Sequence, residues 1–188
     1  MSEPKRRRSK KHSASVADGE SSDATGPSID RDAFVAAMRK AASSVSIVTT
    51  AGRGGRFGVT VSAMSSVSAD PPTVLVCVNT ENFVSQAIER NDSFCVNLLS
   101  EEHTDVSDVF AGRQRCESGD RFDCAEWTTM TTGCPALIGA TAAFDCLVKE
   151  RLVIGSHQVF VGVVVDTRLN SGRTLVYHDR KYCRIAAS

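Results

Sequence analysis

Residues 58–72 constrain the fold of this chain more than any other stretch. They combine small and hydroxyl side chains with β-branched residues, and they end at Pro71-Pro72 before an apolar run over residues 73–78. Small side chains leave the backbone open to a flat ligand, and hydroxyls with free amides suit a phosphate or a polar ring edge. The stretch therefore predicts strand structure at a binding surface. The alternative interpretation is an interior strand packed against close neighbours.

The composition indicates one folded domain behind a tail. At 188 residues the chain is long enough for a single domain with its own core. Residues 1–29 contain the basic run Lys5-Arg6-Arg7-Arg8-Ser9-Lys10-Lys11 and then Ser-, Gly- and Asp-rich sequence. We expect this tail to be disordered and residues 30–188 to form the domain. The basic run suits a nuclear-import or nucleic-acid tail, or simply a solvated terminus.

Charge, hydropathy and cysteine usage exclude several classes of protein. Lys plus Arg and Asp plus Glu are 22 each, so a nucleic-acid partner is not expected. No apolar stretch has the length of a membrane span, and the N-terminus lacks the apolar core of a signal peptide, so we expect a cytoplasmic protein without a membrane partner. The seven cysteines include no C-x-x-C pair, which supports neither a disulfide framework nor a metal site.

The apolar pattern predicts a mainly β domain with a few short helices. Helices are expected over residues 30–42, 82–90 and 101–110, with Asn82 or Thr80 as an N-cap and Gly112 as a left-handed cap. Further strands are expected over residues 45–50, 73–79, 94–99, 140–151, 158–169 and 174–178. At least six strands with so little helix indicate a β-barrel with helical decoration.

Several short motifs carry a resemblance to a known family. In chain order they are Val48-Thr49-Thr50, Gly58-Val59-Thr60, Ser66-Val67-Ser68 with Pro71-Pro72, Val76-Cys77-Val78-Asn79, Val96-Asn97-Leu98-Leu99, Phe110-Ala111-Gly112, Gly155-Ser156-His157 and Leu175-Val176-Tyr177. Over residues 34–182 the chain resembles the flavin reductase-like proteins of the FMN-binding split-barrel fold. Within that family it is most similar to the small reductase components of two-component flavin-dependent monooxygenases.

The resemblance implies a six-stranded antiparallel split β-barrel that forms a homodimer. It also implies hydride transfer from NADH or NADPH to FMN or FAD, and release of reduced flavin to a separate monooxygenase. Flavin is then as much a substrate as a cofactor. The alternative is a flavin-binding sensor or carrier on the same fold, without reductase turnover.

The resemblance also implies which residues contact flavin. The first segment, which lines the isoalloxazine and ribityl chain, comprises Val61, Ser62, Ala63, Met64, Ser65 and Ser66. The second, at the phosphate, comprises Val78, Asn79, Thr80, Asn82 and Ser85, where a helix N-terminus suits an anion. The third comprises Phe110, Ala111 and Gly112, and Arg121 is in a position to reach a phosphate. Arg113 and Arg115 are substitutes for Arg121 if their loop folds over the site.

His157 is the predicted catalytic residue. Relatives carry Gly-Asp-His at this turn, whereas here Ser156 replaces the acid. By resemblance His157 lies near the nicotinamide and the flavin edge, where it can orient the dinucleotide or stabilise charge on reduced flavin. Tyr177 and Tyr182 are candidates to close the nicotinamide side.

Two features leave cofactor preference open. Glu81 brings a negative charge near the expected phosphate, and Phe83-Val84 replaces hydroxyls or a basic residue found in relatives. The choice between FMN and FAD therefore stays open. The chain has no G-x-G-x-x-G fingerprint, so the choice between NADH and NADPH is open as well. Cys77 has apolar neighbours and is expected to be an unactivated thiol.

Overall fold

A computed structural model describes residues 29–186. Its helices are α1 (Arg31–Met38), α2 (Phe83–Asn91) and α3 (Thr104–Phe110). Its strands are β1 (Ser43–Ser44), β2 (Ser46–Thr50), β3 (Phe57–Val61), β4 (Met64–Ala69), β5 (Pro72–Asn79), β6 (Ser93–Leu98), β7 (Trp127–Thr129), β8 (Pro135–Leu137), β9 (Ala142–Ile154), β10 (His157–Leu169), β11 (Val176–His178) and β12 (Lys181–Cys183). The predicted tail lies outside the described residues except for Ile29.

The largest sheet is antiparallel and has seven strands in the order β3-β2-β6-β9-β10-β5-β4. Its two edge strands, β3 and β4, follow one another in the chain and are separated only by Ser62 and Ala63. A sheet whose opposite edges are joined by two residues must curl into an open barrel, because the chain would otherwise have to cross the full width of the sheet.

The predicted mainly β split barrel is confirmed. The sheet has seven strands where the resemblance implied six, because residues 58–72 form both edge strands. The break between them is held to β5 by a hydrogen bond of 3.1 Å from the Cys77 amide to the Ala63 carbonyl. Residues 58–72, the stretch that most constrains the fold, therefore form the place where the barrel is split.

Two small sheets pack outside the barrel. One has the order β1-β11-β12, and the other is the β7–β8 hairpin, which the sequence pattern did not predict. β7 and β8 have three residues each, and Pro135 opens the second. Strands this short carry no readable alternation of apolar and polar residues.

The core has two main parts. Inside the barrel, Val48, Val76, Phe94 and Phe160 are completely buried. Between the barrel and α3, a second cluster includes Ile47, Leu99, Phe110 and Leu175. The strands predicted at residues 45–50, 73–79 and 94–99 supply most of these buried side chains. Their apolar pattern therefore predicted correctly that they are buried.

The helix ends follow their capping residues. Asn82 caps α2 by accepting a hydrogen bond of 3.0 Å from the Val84 amide, as predicted. Gly112 lies just beyond α3 at φ +74°, which confirms the predicted left-handed cap. α1 is shorter than predicted and buries none of its residues, so Phe34 and Met38 are exposed within the chain.

Across residues 29–186, no helix is both long and apolar enough to cross a membrane.

Candidate functional site

The broken edge of the barrel forms a groove, called here the strand groove. It has a volume of about 250 Å³ and is lined by Val59, Thr60, Val61, Ser62, Ala63, Cys77, Val78, Asn79, Asn82 and His157. Small and β-branched side chains dominate one wall, which is part of residues 58–72. Such a wall lets a flat ring approach the backbone closely.

His157 lines this groove and is the first residue of β10. It lies opposite Asn79, the last residue of β5, in the antiparallel ladder. The His157 Nδ1 atom is 3.0 Å from the Ser156 hydroxyl. The Thr80 amide and hydroxyl both donate to the Ser156 carbonyl, at 3.0 and 3.2 Å. These bonds fix the turn that presents the imidazole.

The N-terminus of α2 borders the same groove, beside the Asn79 end of β5. Here the Asn79 side chain accepts from the Glu81 amide at 2.9 Å, and the Asn82 side chain accepts from Val84. Caps therefore occupy two of the amides that would otherwise face an anion. A phosphate at this end needs cationic side chains in addition to the helix dipole.

Ser85 is turned away from that end. It is buried, and its hydroxyl donates to the Gln158 side-chain oxygen at 2.7 Å. Gln158 in turn donates to Glu89 at 2.7 Å. In this arrangement Ser85 fixes α2 against β10 rather than facing the groove.

A larger cleft, called here the helix cleft, lies on the other side of the α2 N-terminus. It has a volume of about 760 Å³ and is lined by Arg56, Phe57, Gly58, Glu81, Asn82, Phe83, Val84, Gly119, Asp120, Arg121 and Phe122. Asn82 lines both the strand groove and the helix cleft. The two spaces are therefore neighbours across one residue.

The far wall of the helix cleft carries two guanidinium groups. Arg56 pairs with Asp120 at 2.5 Å and lies 4.5 Å over the Phe122 ring. Arg121 begins a short 3-10 helix, Arg121–Cys124, and lines the cleft beside Gly119. Both arginines line the cleft together with Asn82, the N-cap of α2, and Arg56 is already paired with Asp120. The cleft therefore combines a helix N-terminus with one guanidinium, that of Arg121, that has no carboxylate partner among the ion pairs of the described residues.

Tyr177 belongs to a third pocket, of about 130 Å³, at the other side of β3. Arg113 donates to the Tyr177 hydroxyl at 3.2 Å and to Asp108 at 3.1 Å. The bond to Tyr177 raises the pKa of Arg113, with a smaller contribution from Asp108. The Tyr182 hydroxyl donates to Asp108 at 2.7 Å, and burial raises the pKa of that phenol. Arg113 is therefore engaged here, away from the helix cleft that Arg121 lines.

The structure brings some of the predicted site residues together and leaves others apart. Val61, Ser62, Ala63, Val78, Asn79, Asn82 and His157 share the strand groove. Arg121 lines the helix cleft, and Ala111 and Tyr177 line the third pocket with Ser62. Met64, Ser65, Ser66, Thr80, Ser85, Phe110 and Gly112 line none of these three spaces.

The reasons for that separation are local. Ser65 and Ser66 are exposed on edge strand β4, beyond the end of the groove. Phe110 is buried beneath Gly58 and packs edge-on against Phe122, with ring centroids 5.2 Å apart. Phe110 supports the wall between the spaces from below.

Sequence reasoning missed the wall of paired charges and aromatic rings formed by Arg56, Phe57, Asp120 and Phe122. Arg56 and Phe57 follow a glycine-rich turn, and Asp120 lies in a polar loop more than sixty positions later. No local pattern links them, since their proximity arises only when the barrel closes.

Cys77 lines the strand groove and is a free thiol. Burial raises the pKa of the Cys77 thiol, in the direction expected for an unactivated thiol. Over residues 29–186, no three His, Cys, Asp or Glu side chains converge as a metal site would require.

An open antiparallel barrel whose two edge strands are consecutive in the chain, with a groove at the break between them, defines a split barrel. The family described as flavin reductase like domain matches residues 38–186. The chain belongs to this family.

Named relatives agree with this assignment. The FMN reductase (NADH) RutF of Ancylobacter novellus is 39% identical over 177 residues, which cover 94% of this chain and 97% of the relative. BorF, the flavin reductase component of a bacterial two-component tryptophan halogenase, superimposes with a TM-score of 0.76 at 28% identity, covering 85% of this chain and all of BorF. The NADH:FAD oxidoreductase SgcE6 of Streptomyces globisporus, in complex with NAD and FAD fragments, has a TM-score of 0.76 at 26% identity, covering 84% of this chain and 93% of SgcE6.

Proposed function

We propose that this chain, a flavin reductase, binds the isoalloxazine ring of its flavin in the strand groove and the flavin phosphate at the N-terminus of α2. The observation that carries the proposal is the shared position of Asn82 between a ring-sized groove and a cleft with Arg121 on its wall. The wall of small residues at 61–63 suits the ring, and the guanidinium with the helix dipole suits the phosphate.

The reaction is transfer of hydride from a nicotinamide nucleotide to the flavin, and the chemistry itself belongs to the two nucleotides. The protein supplies distance, orientation and exclusion of water. His157 is placed at the open end of the groove, opposite Asn79, by the Gly155-Ser156 turn. In the proposed arrangement it donates a hydrogen bond to the dinucleotide or to the edge of the reduced flavin.

The chain works with a separate oxygenase-type partner, in keeping with the two-component systems to which relatives such as BorF belong. Reduced flavin is released to that partner, so the flavin leaves the site in every turnover. The site must therefore hold oxidised flavin without burying it completely. A groove at the open edge of a sheet meets that requirement, because one side of the ligand remains accessible to solvent.

A homodimer is proposed as well. The tip of the β9–β10 hairpin exposes three adjacent apolar side chains, Leu152, Val153 and Ile154, within the single chain. Such a run on a projecting hairpin supports burial against a second copy. Light scattering coupled to size exclusion tests this, and a monomer at micromolar concentration would contradict it.

The function is tested by mixing purified protein with NADH and excess FMN under nitrogen. A reductase bleaches the visible band of oxidised flavin at a rate proportional to protein concentration, and the same measurement with NADPH and FAD gives the preferences. A flavin-binding sensor or carrier would bind flavin, seen by fluorescence quenching, and leave its absorbance unchanged with either nicotinamide.

A further inference from the structure

Two phenylalanine side chains form a stacked pair in the helix cleft. Phe83, the first residue of α2, and Phe57, the first residue of β3, have ring centroids 6.4 Å apart and an interplanar angle of 27°. Phe83 is 70% exposed and Phe57 is 38% exposed. Exposed aromatic rings beside a cleft offer a flat apolar surface that water solvates poorly.

The charges around this pair are of both signs. Arg121, Arg56 and Asp120 line one side of the cleft, where Arg56 is paired with Asp120, and Glu81 lies next to the helix side. The phosphate of a mononucleotide would pair with Arg121 but would make no contact with the phenylalanine rings or with the Glu81 carboxylate. A ligand that carries a phosphate group and a second flat ring with an exocyclic amine would use all three, because a carboxylate accepts from an amine.

The volumes lead to the same ligand. The strand groove, at about 250 Å³, has room for one ring system, whereas the helix cleft, at about 760 Å³, is large enough for a further nucleoside. Asn82 joins the two spaces, so a single extended ligand can occupy both.

We propose that Phe57 and Phe83 form the platform on which an adenine ring stacks, with Glu81 as an acceptor for its amino group and Arg121 facing its phosphates. The proposal rests on the proposed flavin site in the strand groove. Two molecules of the reaction carry this adenosine group: FAD and the nicotinamide dinucleotide. FMN does not carry it.

The test compares ligands with and without the adenosine group in wild type, Phe83→Ala and the control Phe34→Ala. Phe34 is 53% exposed on α1 and lies outside the cleft. Flavin affinities are measured by quenching of flavin fluorescence with FAD and FMN. Steady-state KM values are measured with NADH and with reduced nicotinamide mononucleotide.

If FAD supplies the ring, Phe83→Ala weakens FAD binding about fivefold relative to FMN, since base stacking on an aromatic residue has about that value at an exposed site. If the nicotinamide dinucleotide supplies it, the KM ratio between NADH and the mononucleotide changes instead. Phe83→Tyr, which keeps an aromatic ring, restores the ratio in either case, and Phe34→Ala leaves both unchanged.

Both ratios unchanged in Phe83→Ala, with wild-type turnover intact, would overturn the adenine platform and leave the proposed function standing. Wild-type protein that neither binds nor reduces flavin would remove the proposed function itself. Because Phe83 is exposed, its replacement should not alter folding, and a thermal melt of the variant checks this.

Discussion

His157 lies directly opposite Asn79, where β10 begins and β5 ends. This pairing puts an imidazole and the α2 N-terminus at two sides of one groove, although the residues are far apart in the sequence. The Ser156 carbonyl, which accepts two hydrogen bonds from Thr80, keeps the turn in place. A histidine held this way can orient a ligand without having to exchange a proton with it.

The first prediction concerns that histidine. His157→Ala should raise KM for the nicotinamide about tenfold, the value of one lost hydrogen bond to a charged or strongly polar group, with a much smaller change in flavin affinity. Steady-state kinetics and flavin titration measure the two effects. His157→Gln, which keeps a donor, should recover most of the loss. Equal losses of nicotinamide use and flavin binding would show that His157 holds the groove together rather than orienting the donor.

The second prediction concerns the wall of the groove. Ala63 lies at the break between β3 and β4 and lines the strand groove. Ala63→Trp should fill the groove and reduce flavin affinity at least a hundredfold, because an indole would occupy the space proposed for the ring. Flavin titration and circular dichroism are the measurements. Leu169→Trp, at a position 86% exposed on β10, is the control for adding an indole elsewhere. Normal flavin binding by Ala63→Trp would place the flavin outside this groove.

The third prediction concerns Gly58, whose close neighbour is Phe110. A Cβ atom at Gly58 would lie 2.6 Å from Phe110 Cε1, and that ring is itself packed against Phe122. Gly58→Ala should therefore lower the free energy of unfolding by about 1–3 kcal/mol, the usual cost of overpacking. Urea denaturation gives the value. Combining it with Phe110→Leu should relieve part of the clash, so the double variant should be less destabilised than the sum of the two single variants. Strict additivity would argue against this contact.

The sequence anticipated the parts of the fold that local chemistry determines. The Asn82 cap, the left-handed Gly112 and the buried strands were readable because each depends on neighbouring residues or on continuous β-branched runs. The β7–β8 hairpin and the Arg56–Asp120 pair were not readable, because they depend on contacts across the closed barrel. The apolar spacing of residues 30–42 predicted helix α1 correctly. It did not predict that the apolar side chains of α1 would be exposed in the single chain.

For the candidate site, too, the sequence predicted the segments involved but not every side chain that faces the groove. The resemblance placed residues 61–63, Asn79, Asn82 and His157 in one region, and the structure brings them into one groove. It also suggested Ser65, Ser66 and Ser85, which the structure puts on an exposed edge or in a buried hydrogen bond. A collinear motif reports which segment is near a ligand, whereas the pleat of the strand and the cap of the helix decide which side chains face it.

The fourth prediction concerns a buried carboxylate outside the site. Asp145 on β9 is fully buried and accepts from the Thr132 amide at 2.7 Å and the Thr132 hydroxyl at 2.6 Å. Burial raises the pKa of Asp145, and the two bonds from Thr132 oppose that shift. Asp145→Ala would leave the half-buried Thr132 amide and hydroxyl without their partner and should cost about 3 kcal/mol of unfolding free energy.

The control for this prediction is Asp166, whose carboxylate accepts an exposed hydrogen bond of 2.9 Å from the Thr131 hydroxyl. Asp166→Ala should change the free energy of unfolding by less than about 0.5 kcal/mol. Similar losses for the two variants would contradict the prediction, because they would show that burial adds nothing to the value of the Asp145 hydrogen bonds.

The last prediction concerns stability at acidic pH. Burial lowers the pKa of His103, and the nearby Glu102 carboxylate opposes this only in part. Its Nδ1 accepts from the Ser100 amide at 3.3 Å and lies 2.8 Å from the Ser100 hydroxyl, and a protonated Nδ1 could accept neither bond. The pKa of His103 is lower in the folded than in the unfolded chain, so the unfolded chain binds the proton more readily.

The stabilisation from neutral His103 is therefore complete above the pKa of the unfolded chain, about 6.5, and is lost as the pH falls through the pKa of the folded chain. The Tm of wild type should decrease over this window more steeply than that of His103→Asn. If the Tm of both proteins decreased equally from pH 7 downward, groups other than His103 would be responsible for the loss of stability in acid.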